Sequence, residues 1–173
     1  MTDRSFLVLE EIDVLLAESR ELASVGPHFK IVHRSRDAGW GCLPGEDVVA
    51  AYLSYRARDY QLQFSTTTTL LFDFLARHRR IAQTASEIER SIRSDAFCIA
   101  QRRRIQRPKA LPHRTSIKMH VKRIRVALAS AFKDAGFLLD PADVLISQVT
   151  NGNQVAYQLR ATIAWQHVAL RHC

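Results

Sequence analysis

The stretch TSIKMHVKRIRVALASAFKDA, residues 115–135, repeats its apolar positions with the period of an α-helix. Thr115 or Ser116 is a suitable first residue, and Gly136 is a suitable stop because glycine tolerates the left-handed conformation found at helix ends. The pattern therefore predicts a long amphipathic helix over residues 115–135. The apolar residues that share one face are Ile117, Val121, Ile124, Leu128 and Ala131.

The opposite side of this predicted helix is rich in basic residues. It presents Thr115, Met119, Lys122, Arg123 and Val126, with Lys118 and Arg125 on the flank. Arginine and lysine side chains bind guanine edges and phosphates, and a methionine can contact a thymine methyl group. A basic side of this kind is also compatible with a plain solvated helix face.

The charge of the whole chain favours a polyanionic partner. The 173 residues carry a formal net charge of +8, which is distributed unevenly. Residues 1–50 have nine acids and five bases, whereas residues 51–173 have eight acids and twenty bases. Between Ala96 and Lys133 there are ten Lys or Arg residues and no acid. Such asymmetry is typical of proteins that bind nucleic acid or an anionic membrane surface.

The N-terminal part predicts a helical arm and then a small antiparallel sheet. Residues 3–24 have apolar positions at helical spacing, and Gly26-Pro27 ends that helix. Three β-type runs follow at residues 28–35, 47–55 and 60–64. Phe29, Ile31 and His33 share one face of the first run. A loop at 36–45 and a turn at 56–59 connect the runs.

Two further helices are expected before the long one. Ser65 is a plausible N-cap for a helix over residues 66–79, and a shorter helix is expected over residues 86–94. A basic connector at 96–113 follows, with Arg102-Arg103-Arg104 near its start. Because this connector is long for a compact domain, we expect it to be functional or mobile.

The C-terminal part predicts a β-hairpin. Residues 144–150 form one β run, and residues 154–166 alternate apolar odd positions with polar even ones. Asn151-Gly152-Asn153 between them suits a tight turn, since asparagine and glycine tolerate positive φ. The expected fold is therefore α+β, in the order of a winged helix-turn-helix: a small sheet, three helices and a hairpin wing. The expected organisation is an arm at 1–27, a domain at 28–166 and a tail at 167–173.

Other classes of protein have little support in the sequence. The three cysteines, Cys42, Cys98 and Cys173, form no CxxC pair, and no catalytic triad or phosphate-binding glycine loop is present. We therefore expect no enzyme activity, no cofactor and no metal. No apolar run approaches the length of a membrane span, and the N-terminus lacks a signal pattern, so we expect a cytoplasmic protein with no membrane partner.

Residues 117–128, IKMHVKRIRVAL, resemble the recognition-helix signature V-D-V-H-I-R-R-L-R-K-x-L of the OmpR/PhoB-type winged-helix effector domains of bacterial response regulators. The segment 149–159 is similar to the wing of that family, T-V-R-G-x-G-Y-R-L, with Tyr157 and Leu159 at the matching places. The chain departs from the family at Lys118, where the signature has an acid, and in a longer wing tip. The 27 residues before the sheet are too few for a receiver domain, so we expect no phosphorylation control.

The resemblance implies a sequence-specific regulator of transcription that binds duplex DNA in the nucleoid. The long helix would enter the major groove, and the wing would contact adjacent backbone or minor groove. RNA polymerase is a candidate second partner, and helix 3–24 is a candidate homodimer contact, although it could equally pack on its own domain. The implied DNA contacts are Arg114, Thr115, Lys118, Met119, His120, Lys122, Arg123, Arg125, Asn151, Asn153, Tyr157 and Arg160.

Two alternative functions stay open at this point. The same fold can serve as a protein-interaction module, for example one that binds RNA polymerase. A basic surface without base selectivity would instead suit a non-specific nucleoid or RNA-binding protein.

Overall fold

The computed structural model describes residues 26–35, 48–103 and 111–169. The helices and strands of these residues form an α+β fold. Four helices and two small sheets are present in these residues. The predicted arm helix 3–24, the loop at 36–45 and residues 104–110 of the predicted connector lie outside the described residues, as do Cys42 and Cys173.

The first sheet begins with three antiparallel strands, β1 (His28–Ser35), β2 (Val48–Tyr55) and β3 (Arg58–Gln61). Alternation buries Phe29, Ile31 and His33 on one face of β1, as the sequence predicts. The turn between β2 and β3 is shorter than the expected 56–59. Only Arg56 and Ala57 form it, both with positive φ (48° and 59°), and neither residue type signals that conformation in the sequence.

Helix α1 (Thr66–Arg77) follows the first sheet and is largely buried. Ser65 is its N-cap, as predicted, and the Ser65 hydroxyl accepts a hydrogen bond from the Thr68 N–H at 3.4 Å. The helix ends at Arg77, two residues before the predicted end.

Helix α2 (Ala85–Arg103) is much longer than the predicted 86–94, so the expectation of a connector from residue 96 was wrong. No glycine or proline occurs between residues 85 and 107, and helix-favouring Ala, Gln and Arg residues continue the helix instead. At its start, the Thr84 N–H donates to Glu87 Oε2 at 2.7 Å, and the Glu87 N–H donates to Thr84 Oγ1 at 3.4 Å. The Thr84 hydroxyl also donates to Glu87 Oε2 at 2.9 Å. The hydrogen bonds that the Thr84 N–H and then its hydroxyl donate to this carboxylate lower the pKa of the Glu87 carboxyl.

Helix α3 (Arg114–Ala135) confirms the long amphipathic helix, and Gly136 ends it in the left-handed conformation at φ 68°. Its N-cap is His113 and not the expected Thr115 or Ser116. The His113 N–H donates to Ser116 Oγ at 3.2 Å, which closes a capping arrangement around this N-cap. The buried stripe forms the centre of the core, with Ile117, Ile124 and Leu128 fully buried.

The C-terminal hairpin is present as β5 (Leu145–Val149) and β6 (Val155–Leu159), after a short helix α4 (Pro141–Val144). The turn at 151–153 connects them, and Asn153 adopts a positive φ of 55°. A two-residue strand β4 (Gln83–Thr84), which the sequence analysis did not identify, pairs with β6. The second sheet therefore has the order β4-β6-β5.

The predicted strand over residues 154–166 is in fact two strands in two different sheets. β6 ends at Leu159, and β7 (Thr162–Ala169) pairs in parallel with β1, with His28 opposite Thr162. The first sheet thus has the order β3-β2-β1-β7 and is mixed, not purely antiparallel as expected. At the break, the Arg160 N–H donates to the Val144 carbonyl at 2.7 Å, and the Thr162 N–H donates to the Pro27 carbonyl at 2.9 Å. β7 also extends three residues into the predicted tail.

Candidate nucleic-acid interface

The outward side of α3 is exposed and basic, as the sequence predicts. Arg114, Thr115, Lys118, Lys122 and Arg123 are all exposed. Within the described part of the chain, none of the lysine and arginine side chains of α3 lies within 4.0 Å of an acidic group. Arg114, Lys118, Lys122 and Arg123 therefore form a group of exposed cations with no acidic partner among the described residues.

Two apolar side chains lie among these cations. Met119 is 44% exposed and Val126 is 63% exposed. Met119 and Val126 are seven residues apart, about two helical turns, so both lie on the same side of α3 as the cations. Both are able to contact an apolar group of a ligand.

Arg125 has a structural role that the sequence reasoning missed. Its guanidinium donates to the Leu145 carbonyl from Nη2 at 2.6 Å and from Nε at 3.1 Å, and Nη2 also donates to Ser147 Oγ at 2.8 Å. These bonds join α3 to the first strand of the hairpin and use most of the donors of the side chain. Arg125 therefore fixes the hairpin on the helix, a role that the expected DNA contact did not include.

His120, which the family resemblance implied as a contact, is buried at 5% exposure. Its Nδ1 lies 2.9 Å from Thr68 Oγ1, a hydrogen bond that joins α3 to α1. Burial, with the nearby charge of Arg123 as a second cause, lowers the pKa of the His120 imidazole. A neutral, buried histidine has no free surface for a ligand, so His120 is removed from the candidate interface.

Tyr157 is likewise buried at 5% exposure, on β6 between β4 and β5. Burial raises the pKa of its phenol, with the Arg125 charge acting in the opposite direction. Tyr157 is a core residue, and the expectation that it contacts a ligand from the wing was wrong.

The hairpin tip and Arg160 occupy opposite ends of the hairpin. Asn151 and Asn153 are exposed at the tip, as expected. Arg160 is also exposed, but it follows β6 and lies at the base of the hairpin, next to Gly26 and Val144. Arg160 therefore belongs to a different part of the surface from the tip.

A cleft of about 750 Å³ runs along one side of the exposed face of α3. One wall is formed by α3, and the other by the segment that connects β3 to α1. Four of the residues that line it are apolar or partly apolar: Phe64, Met119, Val126 and Ala127. Lys122 and Arg123 also line it, and Asp134 lies at the C-terminal end of α3. The sequence reasoning missed this cleft because its second wall comes from residues 61–68.

A buried polar group lies on the other side of the core. Asp73 of α1 is fully buried, accepts a hydrogen bond from Arg77 Nε at 3.0 Å, and lies 3.4 Å from Nε2 of the buried His33. Arg77 also lies over the Trp165 ring of β7, 5.2 Å from its centre. This group joins α1 to two neighbouring strands of the first sheet, β1 and the edge strand β7. The i, i+4 spacing of Asp73 and Arg77 is visible in the sequence, but the contribution of His33 is not.

The described residues contain no group of three or more His, Cys, Asp or Glu side chains arranged to hold a metal ion. Within the same part of the chain, no helix has both the length and the hydropathy to span a membrane. Comparisons of the chain with protein-family models, with curated proteins and with solved structures found no match.

Proposed function

We propose that this protein is a sequence-specific regulator of transcription that binds duplex DNA as a winged helix-turn-helix. Helix α3 would lie in the major groove, and the tip of the β5–β6 hairpin would contact the adjacent backbone. The observation that carries the proposal is the exposed face of α3, with four cations that have no acidic partner among the described residues.

The topology supports this proposal independently of charge. The elements run α1, β4, α2, α3, the short α4, β5 and β6, and the strands pair in the order β4-β6-β5. This connectivity supports the proposal of a winged-helix arrangement, in which α3 would be the recognition helix. Arg125 holds the hairpin against α3, so helix and wing would approach DNA as one unit.

The chemistry of the exposed face supports base readout as well as attraction to phosphate. Arg123 and Lys122 can donate to guanine edges, and Met119 can contact a thymine methyl group. Arg114 and Lys118, nearer the N-terminus of α3, are suited to phosphate contacts. The proposed contacts are the exposed members of the implied set that lie on α3 or at the hairpin tip, so Arg160 at the base of the hairpin is left out. They are Arg114, Thr115, Lys118, Met119, Lys122, Arg123, Asn151 and Asn153.

The decisive experiment is selection of binding sites from random duplex DNA with the full chain. Enrichment of one motif supports a sequence-specific regulator. If binding occurs without enrichment, the protein is a non-specific nucleoid or RNA-binding protein, and if no DNA is retained, a protein-interaction module becomes the better reading. Neutralisation of about 5–7 phosphates would give a slope of about −5 to −6 for the logarithm of affinity against the logarithm of salt concentration.

Three further expectations belong to this proposal. The protein would act in the cytoplasm on the nucleoid, as a homodimer through residues 3–24, and with RNA polymerase as a second partner. A two-fold dimer would suit DNA because it reads two half-sites about one helical turn apart. Light scattering on the full chain and on a chain that lacks residues 1–24 tests the dimer.

A further inference from the structure

We infer that the cleft between α3 and the β3–α1 connection binds an amphipathic organic anion, a carboxylate with an apolar body about 12 Å long. The length follows from the helical distance between Lys122 and Ser130, two of the lining residues, at about 1.5 Å per residue. A volume of about 750 Å³ lies within the range of small-molecule sites.

The apolar body is required by the floor and walls of the cleft. Phe64, Met119 and Val126 supply apolar surface, and Phe64 is held by its contact with Phe72, at 5.1 Å between ring centres. The polar groups at the floor already satisfy one another: Thr68 Oγ1 lies 2.9 Å from both His120 Nδ1 and Ser65 Oγ. The floor therefore offers a ligand little besides apolar contact.

The negative head group is required by the charges. Lys122 and Arg123 line the cleft and have no acidic partner among the described residues, whereas Asp134 lies three turns further along α3. An anion is attracted to the first end and repelled from the second, so the ligand has a fixed direction. A cation of the same length could pair only with the single charge of Asp134, in the reverse direction, and would gain nothing from Lys122 and Arg123.

Occupancy of the cleft would regulate DNA binding, and this part of the inference rests on the proposed function. Met119, Lys122 and Arg123 serve both the cleft and the proposed DNA-reading face. A ligand that covers them excludes DNA, so the two would compete. The binding of the anion to the cleft does not itself depend on DNA.

The experiment uses the methionines as reporters, because Met1 and Met119 are the chain's two methionines. The full chain with ¹³C-labelled methionine methyl groups is titrated with octanoate below its micelle concentration, and in parallel with octylammonium and octanol. We expect a saturable shift of the Met119 signal with octanoate and a much weaker response to octylammonium. Absence of a Met119 shift overturns the site, and equal responses to octanoate and octylammonium overturn the assignment to anions.

Variants locate the ligand. Ser130→Tyr and Ala127→Phe place a large side chain in the cleft and should weaken octanoate binding about tenfold or more. Because Ser130 is exposed, Ser130→Tyr does not disturb the core. Arg123→Gln should weaken it about fivefold through loss of one charge-assisted hydrogen bond. Lys133→Gln removes an exposed charge of α3 outside the cleft and is the matched control, with affinity expected within about twofold. Unchanged binding by Ser130→Tyr overturns the location.

Competition separates the two proposals. Octanoate should weaken binding of duplex DNA by the unsubstituted chain and have little effect on DNA binding by Ser130→Tyr. If DNA binds but octanoate at saturation leaves its affinity unchanged, the regulatory part is overturned. If no duplex DNA binds while the Met119 response persists, the proposed function fails and the anion site stands.

Discussion

Helices α1 and α3 pack against each other, yet their charged residues have opposite environments. In α1, Asp73 is fully buried and is held by Arg77 and by His33. In α3, Arg114, Lys118, Lys122 and Arg123 are exposed and have no acidic partner in the described part of the chain.

The difference indicates which helix is structural and which is available for binding. A charge inside a protein must have partners, because loss of hydration is costly, so the partners of Asp73 tie it to the fold. An exposed lysine or arginine needs no partner in water and is free to meet a polyanion. The predictions below test this contrast, from the largest expected effect to the smallest.

Replacement of Asp73 should produce the largest loss of stability. Asp73→Ala leaves the buried His33 and the side chain of Arg77 without their carboxylate, which should lower the free energy of unfolding by about 3–5 kcal/mol. Urea denaturation of the full chain measures this. Asp134→Ala, at an exposed position of α3, is the matched control and should change stability by less than about 0.5 kcal/mol. Equal losses of unfolding free energy in the two variants would contradict the view that the charged residue of α1 is structural and those of α3 are not.

Replacement of Arg123 should affect DNA and not the fold. Arg123→Ala should cost about 1–3 kcal/mol on the selected DNA site and less on random DNA, because it removes a base contact. Fluorescence anisotropy on both DNAs measures this. Arg58→Ala is the control. Arg58 is exposed on β3, opposite Tyr55 of β2, whose ring packs on Phe137 beyond the end of α3, so this substitution lies outside the proposed DNA contacts. Equal losses on selected and random DNA would contradict base readout by Arg123.

Arg125 should behave as a structural residue although it lies in the same helix. Arg125→Ala removes the hydrogen bonds to Leu145 and Ser147 and should lower the free energy of unfolding by about 1–2 kcal/mol. Thermal and urea unfolding, compared with Arg123→Ala, measure the difference between the two arginines. If both variants are as stable as the unsubstituted chain, the hydrogen bonds of Arg125 to the hairpin do not contribute to the free energy of unfolding.

His120 should make stability depend on pH with a predictable sign. Its pKa in the folded protein lies below the ordinary value of 6.5, so the unfolded chain takes up a proton first as the pH falls. The contribution of His120 is therefore complete above pH 6.5 and is lost as the pH falls through its folded pKa.

The measurement is the free energy of unfolding between pH 7.5 and 5, for the unsubstituted chain and for His120→Gln, which cannot become charged. The stability advantage of the unsubstituted chain should decrease over this range. His28→Gln, at an exposed position of β1, is the control and should leave the slope unchanged. If the stability advantage increased on acidification instead, the pKa of His120 in the folded protein would not be lowered, and the prediction would be wrong.

Local patterns predicted several elements because the relevant interactions are local. The apolar spacing of α3, the glycine at its end and the Asn-Gly-Asn turn of the hairpin each lie within a few residues of the structure they specify. The exposed residues of the candidate interface also followed, since the side of a helix opposite its apolar stripe faces solvent. The turn at Arg56 and Ala57 lies within the predicted 56–59, but its left-handed conformation was not predicted because neither residue type usually adopts positive φ.

His120 and Tyr157 were misplaced because their burial depends on other elements. His120 lies at the edge of the apolar stripe of α3, and only the approach of Thr68 from α1 encloses it. The position of Tyr157 fits the alternation of apolar residues along its strand. Its environment, however, is set by the strands on either side, one of which is two residues long. The cleft beside α3 has the same origin, since its two walls come from separate parts of the chain.

The sequence by itself determined the α+β class, the long amphipathic helix with its basic outer side, and the hairpin after it, because helical period, caps and turns are set by neighbouring residues. Only the tertiary structure decided that the last β run divides between two sheets. Apolar odd positions continue across the break at Leu159, Ala161 and Ile163, so the pattern is the same on both sides of it. The division is made by hydrogen bonds to Val144 and Pro27, and by the pairing of β7 with β1 from the opposite end of the described chain, which no local pattern encodes.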